Sequence, residues 1–306
     1  MTRGRITFVG EGMVELRQAE GNEYRLGYGG DTLNSAIHMA RSGFDVAFAT
    51  ALGRDDFSER LRSAWREEGL DCSAILTEPT RGAGLYAISL DAAGERSFTY
   101  WRSDSAARQL FALPDTPELI EQIALSEMLA FSLISLAILP DAGKEALLSL
   151  AARMREDGRK VAFDANYRPL LWESSQTAAH WRDKAIAVAT HGLPTLADEV
   201  LIGGPIDAQS VAAHWLDLGC TEVVVKLGAE GCRLPDGQIL PPEEILSPVD
   251  TSGAGDAFNA GYLSARLWGA HPREAAHHGN ALAAWTIMRS GAIPPLDSDA
   301  PYSRTI

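Results

Sequence analysis

The stretch Val249-Asp250-Thr251-Ser252-Gly253-Ala254-Gly255-Asp256-Ala257-Phe258-Asn259-Ala260-Gly261 concentrates residue types that can do chemistry. A Gly-x-Gly turn opening a helix, with Phe258, Gly261, Tyr262 and Ala265 as its apolar stripe, presents unpaired backbone N–H groups and a positive dipole end to an anion. That is a cradle for a phosphate. Asp256 at its mouth would repel a phosphate that merely bound there, but it suits a base that removes the proton from a hydroxyl attacking that phosphate. An aspartate in a first helical turn can equally cap it, so both readings stand at this point.

Two further segments carry polar groups at predicted strand-to-helix junctions. In Gly29-Gly30-Asp31-Thr32-Leu33-Asn34-Ser35-Ala36, paired glycines let backbone approach a ligand and Asn34 projects from the first helical turn, although a turn capped by Asp31 would look similar. Phe163-Asp164-Ala165-Asn166-Tyr167-Arg168-Pro169 follows a buried strand at its C-terminal end, the edge where open α/β sheets bind ligands, although a solvated loop would read the same. Other chemistries fit poorly. Gly10-x-Gly12 lacks the third glycine of a dinucleotide fingerprint, Gly253-x-Gly255 has Phe258 in its place, and Gly143-Lys144 is followed by Glu145 where a phosphate-loop lysine needs a hydroxyl residue. The histidines, His277-His278 included, show no zinc-ligand spacing.

The elements that must position these groups alternate. Ile6 to Val9, Val46 to Ala51, Met128 to Ile134, Lys160 to Phe163, Gly192 to Leu196 and Val223 to Lys226 read as buried strands. Between them lie amphipathic helices: Leu33, Ala36, Ile37 and Ala40 form one stripe ending at Gly43, and Phe57, Leu61, Ala64 and Trp65 another ending at Gly69. This rhythm predicts a doubly wound, mostly parallel α/β sheet with helices on both faces. Segments 11–28 and 81–102 break it with period-2 alternation, the second turning at Ala92-Ala93-Gly94-Glu95, and predict a small β-sheet lid inserted into one domain spanning 1–306. Tyr100 and Arg102 then share a face that Trp101 does not.

Together, the segment from Gly29-Gly30 to Asn34 and the segment Asp250 to Asp256 resemble the two signatures of the ribokinase-like (PfkB) carbohydrate kinases, in that family's order. Gly53-Arg54-Asp55 and Val223 to Gly231 extend the resemblance over nearly the whole chain. Within the family, Gly10-Glu11-Gly12-Met13-Val14-Glu15-Leu16, Tyr100-Trp101-Arg102 and Asn166-Tyr167-Arg168-Pro169 look most like the 2-keto-3-deoxygluconate kinases. The resemblance implies ATP-dependent phosphorylation of that sugar acid, with Asp256 as base and Gly253, Ala254 and Gly255 as anion hole. Gly30, Asn34, Tyr86, Tyr100, Arg102 and Arg168 would hold the sugar acid. Asn166, Lys226, Gly228, Gly231, Thr251, Asn280 and Ala283, together with Gly253 and Gly255, would serve the nucleotide. Mg²⁺ would lie near Asp198 and Glu199, where Thr195-Leu196-Ala197-Asp198-Glu199 departs from the family's Asn-x-x-Glu and shortens the carboxylate's reach.

Arg102 and Arg168 support the sugar acid on physical grounds as well, because a carboxylate needs cationic donors and arginine supplies a planar fork. Either could instead pair with an acidic neighbour. The alternatives are a kinase of a neutral sugar such as fructose or ribose, and a non-catalytic sugar-binding regulator on the same fold.

Composition narrows the partners. In 306 residues, 41 acidic against 27 basic side chains give −14, a mean field that opposes nucleic acid and anionic membranes, so an anionic ligand must be held by a local site. Leu129 to Leu139, broken by Ser132 and Ser135 and closed by Pro140, is too short to span a bilayer and reads as a buried strand with its flanking turn. The three cysteines, Cys72, Cys220 and Cys232, read as buried thiols, and Met1 to Gly10 shows no export leader, so a cytoplasmic protein is expected. Exposed lid strands invite pairing with a second subunit, hence an expected homo-oligomer through the lid.

Overall fold

The computed structural model describes residues 4–19, 23–90 and 96–302. The turn expected at Ala92-Ala93-Gly94-Glu95 lies outside them. Seven parallel strands form the central sheet in the order Glu222–Val223, His191–Gly192, Lys160–Asp164, Met128–Ser132, Ile6–Val9, Val46–Leu52, Ile75–Thr77. The chain leaves Ile6–Val9 toward one edge and later returns beside it to build the other half. The crevice between Ile6–Val9 and Met128–Ser132 is therefore the switch point at which a doubly wound sheet opens to ligands.

Alternate residues of each strand feed two separate cores, as the pleat requires. Phe8, Phe48, Ala130 and Ala162 pack with Leu33, Trp65, Phe258 and Leu282 from helices Asp31–Arg41, Asp56–Glu67, Ala254–Leu267 and Pro272–Ile287. Val9, Ala49, Phe131 and Phe163 pack with Ile123, Leu147, Ala185 and Trp215 from helices on the opposite face. Both faces of the sheet are covered by helices.

Val46–Leu52 and Lys160–Asp164 each run one residue beyond the sequence reading, and three other strands differ from it more deeply, each for a local reason. Met128 to Ile134 is not one strand. Ser132 ends it and caps helix Leu133–Ile138 through a reciprocal box with Ser135, so the expected flanking turn is helical. Gly192 to Leu196 contributes only His191–Gly192, because Pro194 cannot donate to the ladder and Leu196 already begins helix Leu196–Leu201. Val223 to Lys226 divides between two sheets: Glu222–Val223 joins the central one, and Val225–Lys226 pairs with Cys232–Arg233 in a three-stranded antiparallel sheet completed by Ile239–Leu240. Phe57 leaves its expected stripe and is half exposed, and Cys72 is only partly buried, unlike Cys220 and Cys232.

The period-2 segments form a four-stranded sheet in the order Tyr24–Gly29, Met13–Gln18, Leu85–Leu90, Arg96–Trp101. Its register puts Glu15 and Arg17 beside Tyr86 and Ile88, and these beside Tyr100 and Phe98, on one face. Leu16, Leu26 and Ala87 lie on the other. Among the described residues, no helix is long and apolar enough to cross a membrane.

The helices Ala254–Leu267 and Pro272–Ile287 cross at two glycines. A Cβ on Gly261 would lie 2.6 Å from the carbonyl oxygen of His278, and one on Gly279 would lie 2.9 Å from the Phe258 ring. Alanine ordinarily improves a helix interior by roughly 0.5–1 kcal/mol over glycine. Here the sign should invert: we expect Gly261→Ala to lower the unfolding free energy by about 1–3 kcal/mol, because the obstructing atoms are backbone. Urea denaturation of the variant checks this, and a stabilised protein would contradict the close crossing.

Candidate functional site

The site is built where two helices begin. Gly253, the residue before helix Ala254–Leu267, has φ 72°, and a Cβ there would lie 2.5 Å from that of Ala292, so both backbone conformation and space demand glycine. No side chain caps this helix, which leaves first-turn N–H groups without intrahelical partners. Asp256 therefore does not cap. Its Oδ2 instead accepts a hydrogen bond from Asn34 Nδ2 at 2.7 Å, and its backbone carbonyl accepts one from Ser35 Oγ at 3.0 Å. These bonds dock the first turn of helix Asp31–Arg41 on the glycine turn. Gly30 is required for that docking, since its Cβ would lie 2.1 Å from the carbonyl oxygen of Glu11.

Asp31, Asp164 and Asp256 line a small cavity at the sheet's switch point, together with Thr32, Ser35, Ser132 and Asn259. Each of the first two has partners. Asn166 Nδ2 donates to Asp31 at 3.0 Å, while Lys226 Nζ reaches both oxygens of Asp164 at 3.1 Å and Asn259 Nδ2 donates to one of them at 2.7 Å. Asp256 opens partly to solvent, yet desolvation, then the negative field of Asp31, pushes its carboxyl up to about 8; the bond from Asn34 and the Lys226 ammonium oppose this. A carboxyl so placed is a far stronger base than an ordinary aspartate once it ionises.

The four-stranded sheet supplies the opposite wall. Tyr86 donates its hydroxyl to Glu15 Oε2 at 2.5 Å and stacks on Tyr100 at 5.8 Å. Arg102 lies 5.9 Å over the Tyr100 ring, and the positive field of both Arg102 and Arg168 reaches the Tyr100 hydroxyl. The arginines do have acidic neighbours. Glu11, buried, takes Nε and Nη2 of Arg102 on one oxygen at 2.7 and 2.5 Å, leaving its other oxygen without a partner. Arg168 is half exposed, donates to the Tyr167 carbonyl and lies 3.5 Å from Asp198.

The residues expected around a nucleotide divide. Lys226 points inward to Asp164 and Asn259, with Nζ 3.6 Å from where a Gly255 Cβ would be, so it lies behind the glycine turn. Gly228 and Gly231 both have positive φ and bracket a single 3-10 turn. Thr251 is exposed beside the glycine turn, and Asn280, with an unpartnered Nδ2, and Ala283 are on helix Pro272–Ile287. Asn166 is engaged by Asp31.

The two residues expected near a metal part company. Asp198 faces Arg168, and burial raises its carboxyl against that charge. Glu199 is not brought to the site: it is buried against Arg182 at 2.6 Å and Trp215 Nε1 at 3.0 Å. Among the described residues, no three His, Cys, Asp or Glu side chains converge as a metal site. Sequence reasoning did not single out Glu11, Glu15, Arg17, Asp31 or Asn259 as site residues, and it gave Asp164 only as part of the strand-end segment, without a role. Asn259 was within reach, being one turn beyond Asp256 on the same helix face.

Any activity that needs Asp256 ionised should rise with pH along a one-proton limb centred near 8, and this limb should vanish in Asp256→Asn. Stability should run the other way. A carboxyl whose value is raised on folding favours the fold while protonated, and that advantage is lost as pH climbs from about 4 toward 8. Asp256→Asn should therefore gain stability relative to the parent over that interval; kinetics and urea titrations at pH 5 and 8 test both, and a flat difference would refute the raised value.

The chain matches the sequence pattern described as "pfkB family carbohydrate kinase" over residues 5–299. It is 39% identical to the 2-dehydro-3-deoxygluconokinase of Dickeya dadantii over 97% of this chain and 99% of that one. To the 2-dehydro-3-deoxygluconokinase of Escherichia coli it is 37% identical, covering 96% and 98%. Its fold superposes on aminoimidazole riboside kinase from Salmonella enterica, solved with aminoimidazole riboside and an ATP analog, with a TM-score of 0.80 and 26% identity over 94% of this chain and 95% of that one.

Proposed function

Since the chain belongs to the pfkB family of carbohydrate kinases, we propose that it transfers the γ-phosphoryl group of ATP to the terminal hydroxyl of 2-keto-3-deoxygluconate, also called 2-dehydro-3-deoxygluconate, giving the 6-phosphate. One observation carries the reading: the Asp256 carboxylate is held by Asn34 at the uncapped first turn of the glycine helix, with the Tyr100, Arg102 and Arg168 cluster across the cleft. Asp256 takes the proton from the attacking hydroxyl as the new oxygen–phosphorus bond forms and the bond from the γ-phosphorus to the bridging oxygen breaks, with ADP as the leaving group. Backbone N–H groups of Gly253, Ala254 and Gly255 receive the charge that builds on the transferring group.

Tyr86, Tyr100, Gly30 and Asn34 fix the sugar chain, and Arg102 and Arg168 supply donors for the carboxylate. The nucleotide runs from the glycine turn past Thr251 toward Gly228, Gly231, Asn280 and Ala283. Lys226 and Asn166 act on it from behind, by fixing Asp164 and Asp31. The oxygen donors of Asp164, Asn166 and Asp198 suit a hard cation, and since no three carboxylates converge closely enough to cage a metal among the described residues, Mg²⁺ would be held largely by nucleotide oxygens and water. When bound, Mg²⁺ neutralises phosphate charge. A neutral sugar is the second reading, favoured by the Glu11–Arg102 pair, which already cancels one of the two cationic charges.

The test is ADP release with ATP and Mg²⁺ across ketodeoxy acids, fructose, ribose and adenosine. The sugar acid should give the highest kcat/KM, and Asp256→Asn should lower kcat about 10²- to 10⁴-fold while leaving binding nearly intact. Arg102→Ala and Arg168→Ala should each cost about ten- to a hundredfold on the acid, the worth of a charge-assisted hydrogen bond, and little on a neutral sugar. Equal losses on both substrates, or a neutral sugar as the best acceptor, would sink the sugar-acid assignment.

The four-stranded sheet is read as a lid that covers bound substrate and excludes water. Its outer face bares Tyr24 and Leu26, each 48% exposed, and Trp101, 58% exposed, an apolar surface suited to a second copy of the chain. Light scattering at micromolar concentration should give at least a dimer, and a monomeric mass would count against this use of the face.

A further inference from the structure

Arg17, on strand Met13–Gln18 of the four-stranded sheet, is hydrogen-bonded to the root of the glycine turn. Its Nη1 donates to Asp250 Oδ2 at 3.1 Å and to Ser290 Oγ at 2.9 Å, while its Nε donates to Glu15 Oε1 at 3.0 Å. Both partners beyond the sheet matter to the turn. The Asp250 side chain is 0% exposed; its Oδ1 accepts the N–H of Ser252 at 2.9 Å, and its Oδ2 also accepts that of Gly291 at 2.8 Å. Ser290 and Gly291 lead into Ala292, the residue against which Gly253 is packed. A buried carboxylate needs a compensating charge, and here it comes from another sheet.

The same guanidinium connects to the sugar side. Glu15, which holds Arg17 Nε on one oxygen, accepts the Tyr86 hydroxyl on the other. Tyr86, Glu15, Arg17, Asp250 and Ser252 thus form one unbroken hydrogen-bonded path from the wall of the cleft to the turn that would bear the phosphoryl group. We propose that Arg17 is a positioning residue: through Asp250 it sets the shape of the glycine turn when the four-stranded sheet is seated, so that phosphoryl transfer is coupled to the position of that sheet. This rests on the kinase reading above but not on which sugar is phosphorylated. Arg17 touches neither reactant in it; its effect passes through Asp250, so it should govern turnover more than affinity for the sugar.

The experiment compares the parent protein with Arg17→Ala, Arg17→Lys, Asp250→Asn and the double variant Arg17→Ala/Asp250→Asn, using whichever acceptor the panel shows to be best. A displaced anion hole should cost Arg17→Ala about 10- to 100-fold in kcat. The KM for the acceptor should stay within about threefold, the pattern of an interaction felt in the transition state. Guanidinium ion at low, non-denaturing concentration should restore part of the Arg17→Ala turnover. Arg17→Lys, which can reach Asp250 but not all three acceptors, should fall between.

Because both act through one contact, the double variant should lose no more than the worse single one. A readout free of activity is hydrogen exchange: the amides of Ser252 and Gly291, which donate to Asp250, should exchange faster in Arg17→Ala, while those of strand Lys160–Asp164 keep their rates. The proposal is overturned if Arg17→Ala keeps kcat within about threefold of the parent, if its loss falls in acceptor KM alone, or if the two single losses multiply. It is equally overturned if exchange at Ser252 and Gly291 is unchanged, which decides the matter even for a protein that phosphorylates none of the acceptors. Failure of the panel in the parent protein would strike the kinase reading instead.

Discussion

Negative charge is crowded into the crevice where the sheet changes direction, and the surrounding structure can be understood as the means of keeping it there. Asp31, Asp164 and Asp256 line one cavity, with Lys226 as the ammonium bonded among them. Lys226 and Asn259 satisfy Asp164, Asn166 satisfies Asp31, and among the described residues Asp256 has a single amide donor, from Asn34. The imbalance is local and directional. It concentrates proton affinity on the carboxyl that borders the uncapped helix, which is where a base is useful and where a second anion has donors waiting.

Ordinary packing rules put these groups within reach of one another. Strands Ile6–Val9 and Met128–Ser132 meet at the switch point, and small residues there let two helix starts crowd together: Gly10 clears Thr32, Gly12 clears Trp65, and Gly30 clears the backbone of Glu11. The apolar halves of the same helices are buried in one core, with Leu33 and Ile37 against Phe258 and Tyr262 in the same cluster. The site is rigid on this side because its side chains stand on elements whose other faces are fully packed. The opposite wall rests on a sheet with one face open.

Much of this was legible in the residues. Gly253 and Gly255 beside Asp256, Gly30 with Asn34, and alternating strands and helices each follow from local chemistry or periodicity, and the two helix starts do meet. The bounds of the short strands were not legible. His191–Gly192 and Val225–Lys226 are two residues each, set by neighbouring strands and by Pro194 rather than by any pattern of their own. Pairings across long separations were hidden for a similar reason: nothing local marks Glu11 for Arg102, or Arg17 for Asp250, when the partners are separated by much of the chain. Glu199 shows the reverse hazard. Its residue type suited a cation, but its partners turned out to be Arg182 and Trp215.

The crossing at Gly261 and Gly279 has a geometric corollary for whatever lies along these helices. At Gly261 backbone meets the backbone of His278 and Gly279, and at Gly279 the Phe258 ring fills the remaining space, so the two helices cannot roll or slide past each other without collision. The glycine turn at the head of one and Asn280 and Ala283 on the other therefore keep a constant separation. A molecule that touches both is measured against a fixed gauge: its length must suit the protein, while the adjustable jaw is the four-stranded sheet, on the side where the acceptor would enter.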